Sequence, residues 1–367
     1  MKIWDAVIIG AGPAGCAAAF DLVRAGREVL LLDHAAFPRH KACAGGLTPS
    51  AIKSLRYSVE PVIERSFSDV RLERNTERSA IIKSASTVCS MTVRRDFDAF
   101  CFQQTVAAGA QFRRIRSLSS IAEWKTHVDM TVDGAIIRAL FLIGADGANS
   151  KVRQLSSPRS VWFWRGFALE ANVPWSGRDY QELIFDLFPV SNGYGWVFPK
   201  ADHLNIGLYS YAKDEKIARD RLGAYIRVRN LSIHPEQIAG QYTGFGASSH
   251  VIGDTRIFLV GDAGGFVNPF TGEGISQALR SGQAAAASIC LDLADGSPAH
   301  IHFVQKTRSL RRELAAATLV ARWFYANPDR AFLCFSNPFA HLLAMSIASL
   351  KHRYNSLRTQ VVKRSLH

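Results

Sequence analysis

Three glycines, Gly10, Gly12 and Gly15, stand in the spacing GxGxxG inside "VIIGAGPAGCAAAF". That spacing is suited to holding a dinucleotide. The first glycine permits a tight turn off a strand, the second lets backbone approach a pyrophosphate, and the third lets helix pack closely on strand. Pro13 and Ala14 open the helix, whose N-terminus offers unpaired N–H groups to an anion. Asp33 ends "REVLLLD" about 20 residues on, where a carboxylate accepts hydrogen bonds from a ribose 2′-hydroxyl and disfavours a 2′-phosphate. FAD or NAD therefore fits better than NADP.

A second cluster lies just past this unit, in "FPRHKACAGGLTP". Arg39, Lys41, Ala42 and Cys43 precede a double glycine there, well placed to reach the reactive end of a dinucleotide. Cys43 can orient or protonate a substrate, or it can be a packing thiol. Arg39 and Lys41 can hold the cofactor or a polar headgroup, or stand in solvent. Further on, two apolar strands close in Gly-Asp turns. They are "LIGADGANSKVR", with Asp146 and Gly147, and "FLVGDAGGFVNPFTGEGI", with Gly261, Asp262, Pro269, Gly272, Gly274 and Ile275. A helix starting near Gly272 and Gly274 directs free amides and a partial positive charge outward, which suits the negative charge that a reduced flavin gains at N1 and the adjacent carbonyl. Tyr194, Trp196 and Phe198 alternate in "GYGWVFPK" and so share one strand face. That stripe is either plain core or the wall of an apolar slot.

Holding these residues requires a particular set of elements. "WDAVIIG", "PAGCAAAFDLVRAG" and "REVLLLD" predict a strand, a helix and a second, parallel strand. The β-branched segments "FSDVRLER", "SAIIKS" and "TVCSMTV" predict strands, and "RDFDAFCFQQTVAAGA" a helix. "HVDMTVDG" and "AIIRALFLIGADG" predict a hairpin. From Trp162 to His250 short strands dominate, interrupted by one helix at "DEKIARDRLGAYIRV". "ISQALRSGQAAAASICLDLA" and the remainder read as helical. With no repeat and no low-complexity linker, the expected domains are interleaved. Residues 1–60, 86–158 and 250–297 form a cofactor domain, 61–85 and 159–249 a substrate domain, and 298–367 a helical end.

The chain has 367 residues, 48% of them hydrophobic, enough for a sizeable core. Its six cysteines show no CxxC and no metal-like pairing with histidine, which points to reduced thiols and neither a disulfide framework nor a zinc site. The first strand is not preceded here by a basic segment, an apolar stretch and a cleavage site, so a secretory signal is not expected, and with no long apolar run the expected location is cytoplasmic. The net charge is +13, and basic residues crowd the segment from Lys306 onward beside "LVARWFYA" and "PFAHLLAMSIASL". That tail is either a solvated helical surface or a peripheral contact with the inner face of an anionic membrane. Nucleic acid is a poor partner because no reader motif accompanies the charge.

GxGxxG and the two Gly-Asp turns together resemble the three fingerprints of FAD-dependent enzymes built like para-hydroxybenzoate hydroxylase. "VRRDFDAF" is similar to that group's R-x-x-F-D helix start, which implies Arg94 near the cofactor's phosphates, with Asp98 structural. "FPRHKACAGGL" resembles the "FPR-x-K-x-C-GGG-L" segment of the geranylgeranyl reductase family, and "YGWVFPKADHLNIGLYSY" its Y-x-W-x-F-P motif and following strand. The resemblance runs from Lys2 to about Leu293 and departs at Ala44, where the family has glycine. Flavin-dependent halogenases instead end the corresponding segment in W-x-W-x-I-P and lack the Lys-x-Cys pair.

The resemblance implies an α/β fold in which a Rossmann-like FAD-binding domain is interleaved with a mainly antiparallel β-sheet substrate domain, followed by a helical C-terminal segment. It also implies reduction of carbon–carbon double bonds in a prenyl chain by hydride from reduced flavin N5, with Cys43, Tyr194 and Trp196 as catalytic residues. The single GxGxxG leaves NAD(P)H, or another reductant, to act transiently. A flavin monooxygenase of an aromatic or secondary-metabolite substrate is the alternative, and a non-catalytic flavin-binding protein is a third reading.

Overall fold

The computed structural model describes residues 2–156, 162–175, 177, 180–234, 237–247 and 253–336. The chain opens with β1 (Ile3–Ile9), α1 (Pro13–Arg24) and β2 (Val29–Asp33). β1 and β2 pair in parallel, and both are apolar along most of their length because helices and loops cover both sheet faces. A loop then leads to β3 (Gly46–Leu47), α2 (Pro49–Ser54), β4 (Arg65–Phe67), β5 (Val70–Arg74), β6 (Arg78–Ile82) and β7 (Cys89–Met91). Next come α3 (Arg94–Ala107), β8 (Gln111–Arg114), β9 (Leu118–Glu123), β10 (Val128–Val132), β11 (Ala135–Gly144) and α4 (Lys151–Ser156). The middle of the chain supplies β12 (Trp164–Pro174), β13 (Leu183–Leu187), β14 (Gly193–Pro199), β15 (His203–Ser210), α5 (Arg219–Arg227) and β16 (Ala239–Phe245). The last elements are β17 (Ile257–Leu259), α6 (Ile275–Asp295), α7 (Ala299–Ala326) and α8 (Pro328–Ser336).

The first sheet has the order β8-β2-β1-β11-β10-β9, with β17 added on β11. Its centre is parallel, and β9 and β10 extend it as an antiparallel meander. Asp133 and Gly134 both have positive φ, +50° and +81°, and make the two-residue turn that joins β10 to β11. On one face, α1, α3 and α6 bury Ile8, Leu22, Leu31, Phe97 and Leu279. The other face buries Val7, Leu32, Met130 and Val152.

The second sheet has the order β16-β12-β15-β14-β13-β5-β6 and is antiparallel except where β13 meets β5. One face packs on α5 through Ile184, Val197, Ile206 and Leu222. The opposite face is aromatic, with Trp196, Phe198, Tyr209 and Phe245, and it looks toward the end of the first sheet. β3, β7 and β4 form a small third sheet between them. The architecture is thus the expected mixed α/β one, with a helical C-terminal region.

Local expectations shift in three places. "FSDVRLER" is not one strand: it breaks at Ser68 and Asp69 into β4 and β5, which serve different sheets. "TVCSMTV" contributes only Cys89–Met91, because Thr92 leaves the ladder to meet Gly45 and Val62. The helix expected from Asp214 begins at Arg219, since Asp214 has φ +53° and is tied to Arg165 through both backbone and side chain. The tail residues from Asn337 onward, including Lys351 and Arg353, lie outside the described residues.

Candidate functional site

The turn after β1 is shaped by steric exclusion. Gly10 has φ +105° and lies against the Ala145 and Asp146 backbone, and a Cβ on Gly15 would collide with the Gly10 carbonyl. Gly12 is the N-cap of α1 and brings no side chain to its amides. The first-turn N–H groups of Ala14 and Gly15 have no intrahelical acceptor. The nearest atom to a Cβ on Gly12 is Arg39 Nη2, at 3.7 Å. Arg39 therefore overhangs the cradle. It pairs with Asp98 at 3.0 Å, and Arg94 grips the same wholly buried carboxylate with Nε and Nη2 at 2.7 and 2.9 Å. Two guanidinium groups thus share one anion beside an uncapped helix end, an arrangement that accommodates a diphosphate. Asp33 accepts the Ala11 and Ala35 N–H groups at 2.7 and 2.8 Å, so it braces the glycine turn, and a carboxylate retains further lone pairs for a ribose.

The two Gly-Asp turns differ in what their carboxylates do. Asp146 caps α4, accepting from Ser150 Oγ at 2.5 Å and from the Lys151 and Val152 amides at 2.6 and 3.0 Å. Its neighbour Gly147, at φ +80°, faces open space. Gly261 begins the second turn, and Asp262 accepts the Gly244 amide at 3.3 Å. Burial raises the Asp262 carboxyl, an effect opposed chiefly by the Lys41 charge. Burial conversely lowers the Lys41 ammonium, and neighbouring Arg94 adds to that. The loop then runs through Pro269 and Gly272 to α6, whose N-cap Gly274 again carries no side-chain cap ahead of Ile275.

The aromatic face of the second sheet closes the site. Tyr194, Trp196 and Phe198 do share one side, opposite Tyr209, Gly207 and Asn205 of β15. A Cβ on Gly207 would lie inside the Trp196 ring, so only glycine leaves room for the indole, whose Nε1 donates to Asn205 Oδ1 at 2.7 Å. Asn205 in turn donates to Asn172 Oδ1 at 2.8 Å. Tyr194 donates to the Thr271 carbonyl at 2.5 Å, and burial pushes its hydroxyl well above the usual phenol range. Cys43 is partly exposed, and its Sγ accepts the Gly45 amide at 3.4 Å; Ala42 beside it is buried.

Two residues here escaped sequence reasoning. Glu170 is 6% exposed and holds the Cys43 backbone N–H and the Asn205 side chain; burial raises its carboxyl. Lys200 is 2% exposed and donates to the Thr92 carbonyl beneath Gly45, its ammonium lowered by burial. Lys200 continues the Trp196–Phe198 alternation of "WVFPK" and so stands out as an inward charge, whereas Glu170 in "FALEANV" alternates with Leu169, Ala171 and Val173 and reads as a solvent-face residue, so no local signal marks it. The fold thus gathers Gly12, Arg39, Lys41, Cys43, Arg94 and Asp262 at one end of the first sheet, facing Tyr194 and Trp196. The Asp146 side chain is turned aside into α4.

Residues 4–160 match the FAD binding domain family. An uncharacterized protein of Methanosarcina barkeri is 32% identical, covering 90% of this chain and 86% of its own. A menaquinone reductase of Mycolicibacterium smegmatis is 30% identical over 77% of this chain and 75% of its own, and a geranylgeranyl diphosphate reductase of Rhodobacter capsulatus is 28% identical over 81% and 78%. The chain belongs to the geranylgeranyl reductase family of FAD-dependent oxidoreductases. Its fold is shared with solved structures. A geranylgeranyl bacteriochlorophyll reductase-like protein of Thermoplasma acidophilum superposes with TM-score 0.74 at 19% identity, covering 89% of this chain and 88% of that one. A flavin-dependent brominase superposes with TM-score 0.72 at 20% identity, covering 92% and 91%. Within this family fold, the cradle at Gly12, the paired guanidinium groups and the bare N-terminus of α6 are the features that fit FAD. Among the described residues no helix is long and apolar enough to cross a membrane.

Proposed function

We propose that this reductase-family protein saturates carbon–carbon double bonds in a prenyl chain. The observation that carries the reading is the meeting of the Cys43 loop with the aromatic face of β14 and β15 over the N-terminus of α6. Bound and reduced, FAD supplies a hydride from N5. The protein's own contribution is to hold Gly12, Arg39 and Arg94 around the diphosphate, and to present Trp196 and Phe198 as a dry wall against which an apolar chain lies.

An isolated alkene accepts hydride poorly, so approach to about 3–3.5 Å and exclusion of water must supply much of the acceleration. We assign delivery of the proton to Cys43, whose loop reaches that wall through Ala44. Glu170, which accepts the Cys43 N–H, and Lys200, which donates to the Thr92 carbonyl beside Gly45, brace the loop that carries it. Relatives bearing the names menaquinone reductase, geranylgeranyl diphosphate reductase and digeranylgeranylglycerophospholipid reductase support a substrate with a polyprenyl chain. NAD(P)H or another reductant restores the electrons. The outer face of α7 and α8, with Leu319, Trp323 and Leu333 exposed beside Arg322 and Arg330, supports collection of such a substrate from an anionic membrane surface.

The test is anaerobic incubation of the dithionite-reduced holoenzyme with prenyl lipids, followed by mass spectrometry. A product two hydrogens heavier per turnover is expected. Substrate that remains unchanged without oxygen, but stimulates NAD(P)H oxidation and gains oxygen in air, would transfer the site to monooxygenase chemistry.

A further inference from the structure

Three successive carbonyls just ahead of α6 each accept a tyrosine hydroxyl. Tyr209 on β15 donates to Pro269 at 3.1 Å, Tyr325 on α7 to Phe270 at 2.8 Å, and Tyr194 on β14 to Thr271 at 2.5 Å. The amides of the same stretch are also engaged, Phe270 and Thr271 with Asn268 Oδ1 at 2.9 and 3.3 Å, and Glu273 with Thr271 Oγ1 at 3.2 Å. Tyr209 and Tyr325 are nearly inaccessible, at 2% and 7% exposure. A phenol so buried needs a polar partner, and here the partners are backbone groups of one loop.

The hydrogen bonds fix a direction. With its carbonyl oxygens turned toward β14, β15 and α7, the loop delivers the chain to Gly272, at φ +69°, and Gly274, and the unpaired amides of α6 follow at once. We infer that Tyr194, Tyr209 and Tyr325 are positioning residues that aim this amide-bearing helix end at the flavin, and that Tyr325 makes the C-terminal helical segment part of the flavin site. The inference rests on the family's FAD site and is independent of the prenyl substrate. Donors and positive dipole near N1 stabilise the reduced cofactor more than the oxidised one. Loosening the loop must therefore lower the preference for the reduced form.

The experiment uses the holoenzyme of Tyr325→Phe. FAD content, the visible flavin spectrum, the midpoint potential by dye equilibration and the Tm are measured beside wild type. We expect full FAD content, an altered flavin band, and a preference for reduced over oxidised FAD about tenfold weaker, which is about 30 mV lower in a two-electron couple. Tyr211→Phe is the control. Tyr211 stacks on Tyr325 at 5.3 Å, but its hydroxyl takes none of these carbonyls, so its potential should stay at the wild-type value. Should Tyr325→Phe fail to fold, Tyr209→Phe carries the same expectation. A folded, FAD-replete Tyr325→Phe with wild-type potential and spectrum, or an equal shift in Tyr211→Phe, overturns the inference. Loss of FAD from wild type itself would instead strike the cofactor assignment.

Discussion

Replacing Arg39 by methionine should weaken cofactor binding at a modest cost to folding. Arg39 makes one ion pair with Asp98, at 3.0 Å, while Arg94 holds both oxygens of that carboxylate at 2.7 and 2.9 Å. Asp98 therefore stays paired in Arg39→Met, and the folding cost is that of one hydrogen bond between charged groups, about 1.5–3 kcal/mol. For 367 residues, an unfolding entropy of about 2.1 cal/mol/K per residue turns this into about 2–4 °C of Tm. FAD loses a contact of the same kind, about 10- to 150-fold in Kd.

Arg94→Met should cost more in folding, because it strips the buried carboxylate of its bidentate partner. Breaking such a pair costs about 3–5 kcal/mol, or about 4–6 °C on the same scale. The assay is FAD titration of each apoprotein by fluorescence, in parallel with thermal unfolding without flavin. The Kd penalty of Arg39→Met should shrink as salt rises, since screening weakens the wild-type contact it removes. Wild-type FAD affinity in Arg39→Met, or a Tm loss as large as that of Arg94→Met, would remove Arg39 from the cradle.

Other expectations follow from the same geometry. Gly12→Trp should fill the space below Arg39 and abolish FAD binding, so normal flavin content in the purified variant contradicts the pyrophosphate cradle. Cys43→Ala should retain FAD yet slow anaerobic single-turnover reduction, and an unchanged rate reassigns the thiol to packing. Asp186 lies on the far side of the second sheet, where burial raises its carboxyl to about 6 despite Arg229 at 3.1 Å. The folded state then holds a proton that the unfolded chain has already released between about pH 4 and 6, so stability should fall by about 2–3 kcal/mol as pH rises through that window. Asp186→Asn should flatten this slope, and an unaltered pH profile of Tm would show that another group carries it.

Much of the cofactor end is local and therefore legible in the sequence. GxGxxG needs only a strand, a turn and a helix within one short segment, and the collision between a Gly15 Cβ and the Gly10 carbonyl is set by that segment alone. The alternation of Tyr194, Trp196 and Phe198 likewise follows from strand geometry. The period of two fixes that they share a side, whichever sheet they join.

What each side chain touches was decided only by long-range packing. Asp98 lies in the helix-start motif, yet its second cation, Arg39, comes from a loop 59 positions earlier in the numbering, and nothing local forces that encounter. Tyr194 reads as a catalytic phenol until β14 is set against the loop before α6, where its proton meets the Thr271 carbonyl. Asp146 and Asp262 occupy equivalent Gly-Asp turns, but one has a helix start to cap and the other faces Lys41. The sequence by itself determined the residue types, the periodicities and the steric need for glycine, because these act over a few bonds. Only the tertiary structure determined which charges share a partner, because desolvation and ion pairing depend on groups that the chain brings together from distant positions.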